Sequence, residues 1–70
     1  MNLYFIRSNG EKRLVRENAE EKTVLSDIHS YVNNVNPTYK IYYTRSWYSE
    51  DHKGIMYDVG SHTEFFLLAD

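Results

Sequence analysis

The spacing of apolar residues along this chain changes twice, from alternation to a helical repeat and back. Leu3-Tyr4-Phe5-Ile6 is a run of strand-forming types, and Asn9-Gly10 follows it. An Asn-Gly pair tolerates the positive φ angles of a two-residue type I′ hairpin turn. The pattern therefore predicts a hairpin whose second strand covers about Glu11 to Glu17. In that register Ser8 faces Glu11, Phe5 faces Leu14 and Tyr4 faces Val15. Leu3, Phe5 and Leu14 then share one face, and Tyr4, Ile6 and Val15 share the other. Arg7, Lys12 and Arg16 gather at the ends of the first face.

Val24, Leu25, Ile28, Tyr31, Val32 and Val35 then recur at intervals of three and four, which predicts one apolar stripe on an amphipathic helix. Asn18 with Glu21 three residues on has the form of a capping box. Glu20 and Glu21 suit the positive end of a helix dipole. Asn33-Asn34 offers a left-handed stop, and Pro37 cannot continue a helix.

Alternation returns over Tyr39–Ser49, the longest strand candidate. It places Tyr39, Ile41, Tyr43, Arg45 and Trp47 on one face and Lys40, Tyr42, Thr44, Ser46 and Tyr48 on the other. Glu50-Asp51-His52-Lys53-Gly54 reads as a polar turn. Ile55–Val59 returns antiparallel, with Ile55, Tyr57 and Val59 facing away from Met56 and Asp58. Gly60-Ser61 interrupts it, and Phe65–Leu68 forms a last strand. That strand either continues the fourth beyond a kink or folds back as a fifth. Residues 1–70 thus read as a single α+β domain. The predicted order is ββαββ, extending to ββαβββ if the last strand is separate. The predicted architecture is an antiparallel sheet of four to five strands with one helix across a face.

Composition sharpens this picture. A chain of 70 residues buries about 60% of the surface its unfolded form exposes. It has no cysteine, so no disulfide staples it and no thiolate serves as ligand or nucleophile. Seven Tyr, three Phe and one Trp supply the core instead. Eleven rings of roughly 150–250 Å² each exceed what so small an interior can hide. Some of them should face water or a partner. No apolar run approaches a membrane span, and Arg7 interrupts the first stretch before a signal peptide could form. A cytoplasmic location and no membrane association are the expectations.

The net charge of −2 hides an asymmetry. Residues 1–16 carry Arg7, Lys12, Arg13 and Arg16 against Glu11 alone. Residues 17–70 carry four cations against nine carboxylates. A basic hairpin with nearby aromatic residues is one route to single-stranded nucleic acid. The acidic remainder and the lack of a basic stripe, a glycine-rich RNA signature or a recognition helix argue against it.

Sites of chemistry are sparse. His29, His52 and His62 show no standard ligand spacing, so neither a metal nor another cofactor is expected. His29 belongs on the polar or boundary face of the helix. Asp58 and Glu64 flank the Gly60 break, but acid–base work needs a pocket that perturbs a pKa. Ser26, Ser30 and Ser61 lack the glycines of a nucleophile elbow, and isolated Gly60 makes no phosphate loop. No enzyme signature is present. The binding candidates are Tyr42, Arg45, Trp47 and Tyr48, because Arg, Trp and Tyr dominate interface hot spots. Arg7, Lys12 and Arg16 join them as the basic hairpin.

The segment Tyr42-Tyr43-Thr44-Arg45-Ser46-Trp47, with Met56-Tyr57-Asp58-Val59-Gly60-Ser61-His62-Thr63-Glu64-Phe65-Phe66, resembles small proteins encoded by phages and prophages of Gram-positive bacteria. The resemblance covers roughly the last 30 residues and is carried by size and strand pattern. It implies a non-enzymatic accessory protein that binds and inhibits a host protein. Anti-CRISPR and other anti-defence inhibitors are similar in size, which makes a defence nuclease such as a CRISPR effector a plausible target. The alternatives are a nucleic-acid-binding regulator using the basic hairpin and a self-assembling structural module. Apolar residues on both faces of the strands also predict a homodimer, or a monomer using the uncovered face.

Overall fold

The computed structural model describes residues 1–70. Its elements are β1 (Asn2–Ile6), β2 (Lys12–Arg16), a short 3-10 turn (Glu21–Thr23), α1 (Val24–Val35), β3 (Arg45–Ser49), β4 (Gly54–Asp58) and β5 (Phe65–Ala69). All five strands form one sheet in the order β2-β1-β5-β4-β3, and every neighbouring pair is antiparallel. The chain is therefore α+β, as its pattern predicts. The last strand is a separate fifth strand. It inserts between β1 and β4, so the two hairpins meet only through it.

The helix packs on one face. Val24 and Ile28 are fully enclosed against Leu3, Tyr57, Phe66 and Leu68, with Ala19 and Val59 in the same cluster. Tyr31 and Val32 sit beside it, half-buried. Phe5, Tyr31 and Phe66 stack as a trio with ring centroids 5.0–5.8 Å apart. The predicted stripe is too wide by two residues, because Leu25 and Val35 are exposed. Leu25 lies on the far side of Val24, and Val35 lies at the open C-terminal end.

Four local expectations need correction. The first hairpin has a three-residue loop instead of a two-residue type I′ turn. The Gly10 amide donates to the Arg7 carbonyl at 2.9 Å, and the Arg7 amide donates to the Glu11 carbonyl at 2.8 Å. Gly10 alone takes positive φ, at 90°. The Asn9 side chain accepts from the Glu11 amide at 2.9 Å and holds the turn. The extra loop residue shifts the register by one. Phe5 now faces Arg13, and Tyr4 faces Leu14. A one-residue slip moves side chains to the opposite face, so Leu14 joins Tyr4 and Ile6 on the side away from the helix. Val15 is the unpaired residue of a bulge and packs toward the helix-side core.

The second correction concerns the start of the helix. Asn18 has φ of 55° and donates its amide to the Asn2 side chain, so it cannot cap. The chain enters through the 3-10 turn, and neither flanking residue makes a side-chain cap. The third concerns its end, since the helix continues through Asn33-Asn34 to Val35. Pro37 is the residue that stops it. The fourth concerns the long strand, of which only Arg45–Ser49 pairs. Residues 37–44 cross the end of the helix as irregular chain. Ile41 packs on the helix-side core, and the Tyr39 hydroxyl donates to the Val59 carbonyl at 2.9 Å. Serving both the helix and the sheet edge leaves no length for regular pairing.

At Gly54, β5 leaves no room for a side chain on β4. A Cβ there would meet the Leu68 carbonyl oxygen and lie 2.7 Å from the Ala69 Cβ. Both belong to a strand fixed on two sides. Gly54→Ala should therefore cost about 1–3 kcal/mol through overpacking. Ile28→Ala should cost about 2–5 kcal/mol through a buried cavity, whereas Val35→Ala should stay within about 0.5 kcal/mol. Denaturant unfolding checks all three, and equal losses at Ile28 and Val35 would contradict this packing.

Candidate functional site

The face of the sheet opposite the helix has no element over it. Alternation assigns it Tyr4 and Ile6 from β1, Lys12 and Leu14 from β2, Arg45 and Trp47 from β3, Met56 and Asp58 from β4, and Phe65 and Leu67 from β5. The face builds a thin second core from its own side chains. Met56, Leu67 and Ala69 are buried, with Tyr4, Ile6 and Phe65 packed around them. The Trp47 ring stands edge-on to Phe65 at 5.9 Å. Tyr4, Ile6 and Phe65 keep a minor part of their surface in water. Trp47 is 38% exposed and Leu14 51%.

Two cations flank the apolar surface, each lying against an aromatic ring. The Lys12 ammonium lies 4.4 Å from the centre of the Tyr4 ring, and the Arg45 guanidinium lies 5.5 Å from that of Trp47. Cations favour the negative face of an aromatic ring. The two pairs sit toward opposite edges of the sheet, on β2/β1 and on β3.

Asp58 is the one carboxylate on this face and is completely buried. Its Oδ2 accepts from Arg45 Nη2 at 3.2 Å and is paired with His62 Nδ1 at 2.8 Å. Its Oδ1 accepts from the Gly60 amide at 2.9 Å and the His62 amide at 3.3 Å. Burial alone would raise its pKa. The donors from Gly60, His62 and Arg45 outweigh that and lower it to about 2. The carboxylate thereby ties the β4–β5 loop, in which Gly60 and His62 both have positive φ, to the arginine beside Trp47. His62 Nε2 lies 3.3 Å from the Tyr43 hydroxyl. The His62 side chain is mostly in water, and Tyr43 is half-exposed. No pocket is lined by either residue. The chain from Asp58 through His62 to Tyr43 therefore fixes a loop.

The seven predicted binding residues do not form one surface. Arg45, Trp47 and Lys12 share the open face. Tyr48 points to the helix side of the edge strand, opposite Ile55, and Tyr42 is 87% exposed in the irregular segment. Arg16 is tied to Asp27 of the helix at 2.8 Å. Arg7 lines a groove on the helix side. The basic hairpin is thus split between two faces, because Lys12 alternates away from Arg7 and Arg13. None of Tyr4, Ile6, Leu14 and Phe65 is among the binding residues predicted from the sequence, although all four lie on the open surface. Alternation groups Ile6 with Tyr4 on one face, but a two-residue hairpin register puts Leu14 on the other, and nothing local reveals that β5 lies centrally. His29 is exposed on the helix. No three His, Asp or Glu side chains converge as a metal-ligand set. No helix is long and apolar enough to cross a membrane. No protein-family model matches this chain, and neither a curated protein nor a solved structure matches it.

The Asp58 cluster generates a pH prediction. The folded pKa lies below the unfolded value of 3.8, so the carboxylate contributes stability above about pH 4. That contribution should disappear as pH falls toward about 2. Melting temperature measured across this range should decline steeply for the native chain. The decline should be shallower for Asp58→Asn, which is less stable at neutral pH. Parallel curves would show that Asp58 does not carry the acid sensitivity.

Proposed function

We propose that this chain is a non-enzymatic binding module that docks another protein on the helix-free face of its sheet. The observation that carries the reading is the partly hydrated aromatic surface of Tyr4, Phe65 and Trp47 above a second buried cluster. Exposed apolar surface bounded by polar groups is characteristic of an interaction site. Trp, Tyr and Arg are the side chains that give such sites their energy.

Charge selects the kind of partner. Lys12 and Arg45 flank the face, and Asp58 is hidden beneath Arg45. A second copy would bring the same two cations and no exposed carboxylate from its strands. An acidic surface with an apolar centre is the better complement. Nucleic acid is a weaker fit, since Arg7, Arg13 and Arg16 lie on the other side of the sheet. In the phage-accessory reading the partner is a host protein, blocked in the cytoplasm, and a defence nuclease is one such target.

Affinity capture from a bacterial lysate, followed by binding of the purified captured protein, tests this. Trp47→Ala and Lys12→Glu should each weaken that binding, Trp47→Ala by about 2 kcal/mol or more. Tyr42→Ala and Tyr48→Ala should leave it within about 1 kcal/mol. Binding that survives the first pair and fails with the second would overturn the assignment. Recovery of the chain alone would favour self-assembly.

A further inference from the structure

A groove of about 330 Å³ opens on the helix side, between the C-terminal half of α1 and the first hairpin. That volume is at the small end for ligand sites. Its base is the trio Phe5, Tyr31 and Phe66, and Val32 and Val35 form a wall. Val35 is 66% exposed, an apolar side chain with no packing role in the core.

Arg7 and Arg13 also line the groove, whereas Glu11 does not. Glu11 Oε1 accepts from Arg7 Nη1 at 3.0 Å and lies 3.4 Å from Arg13 Nε. One carboxylate outside the groove therefore steadies both guanidiniums beside it. The hydrogen bond from Arg7 is the main reason its pKa falls below the usual value, despite some loss of hydration. Arg7 Nη2 and both terminal nitrogens of Arg13 have no acceptor within the protein. Glu64 is the one carboxylate in the lining.

We propose that this groove binds a small aromatic monocarboxylic acid. The ring rests on the partly exposed Phe5 and Tyr31 beside Val35, with Phe66 buried beneath them, and the carboxylate takes the free donors of Arg13 and Arg7. Planar guanidinium forks suit carboxylates geometrically. The attraction comes from these directed donors, because Glu11 and Glu64 balance the two arginines in net charge. Glu64 weakens the site and does not hold the ligand.

Amide and side-chain NMR shifts of the intact chain, titrated with 3-phenylpropionate and with its uncharged amide 3-phenylpropanamide, provide the test. The acid should give saturable shifts at Phe5, Tyr31 and Val35, and the amide should bind about tenfold more weakly. Arg13→Ala should weaken the acid by about tenfold and leave the amide unchanged. Glu64→Gln should tighten the acid. Trp47→Ala should change neither ligand, which separates this groove from the open face. Melting of each variant confirms that it is folded. Equal affinity for acid and amide, no saturable shift at these residues, or an unaffected Arg13→Ala in a folded chain would overturn the proposal.

Discussion

Strand β5 pairs along both of its edges, with β1 through five residue pairs and with β4 through four. It joins two hairpins that otherwise share no ladder. An isolated hairpin is marginal in water, so each depends on this central strand for lasting structure. Its side chains serve two cores at once. Phe66 and Leu68 enter the helix-side cluster, and Leu67 and Ala69 enter the opposite one. That double burial explains why Phe65-Phe66-Leu67-Leu68-Ala69 is the most apolar run in the chain. It also explains why Gly54 has no room for a side chain.

A five-stranded sheet with one helix has a face left over. This chain fills part of that deficit with its own aromatic side chains, and the result is a core one layer thick. Tyr4, Phe65 and Trp47 cover Met56 and Leu67 but remain partly in water themselves. Asp58 holds the end of the face in place, because one buried carboxylate organises Arg45, the Gly60 turn and His62 together. The stability of the fold and the availability of the surface thus share a cause. A second helix would have buried this face.

Much of the architecture is legible in the sequence, and the exceptions are physically specific. The helix stripe from Val24 to Val32 is unmistakable because its spacing is local. Asn9-Gly10 identifies a hairpin but not its loop length, since the same pair suits a three-residue loop with Gly10 as the sole left-handed residue. That ambiguity alone reversed the facing of Leu14. Tyr39–Ser49 alternates well enough to mimic a long strand, yet Tyr39 and Ile41 alternate for the helix side and Arg45 and Trp47 for the open face. The candidate site was half legible. Arg45 and Trp47 carry a visible hot-spot composition, while Phe65 joins them only through the non-local insertion of β5.

Trp47 is the only tryptophan in the chain, so its fluorescence reports on the open face without labelling. Iodide quenching of Trp47 in the free protein and in complex with the captured partner is the most direct measurement of the central claim. The emission should be readily quenched in the free chain, then shielded and shifted to shorter wavelength in the complex. Equal quenching in the two states would place the interface elsewhere and contradict the role assigned to this face.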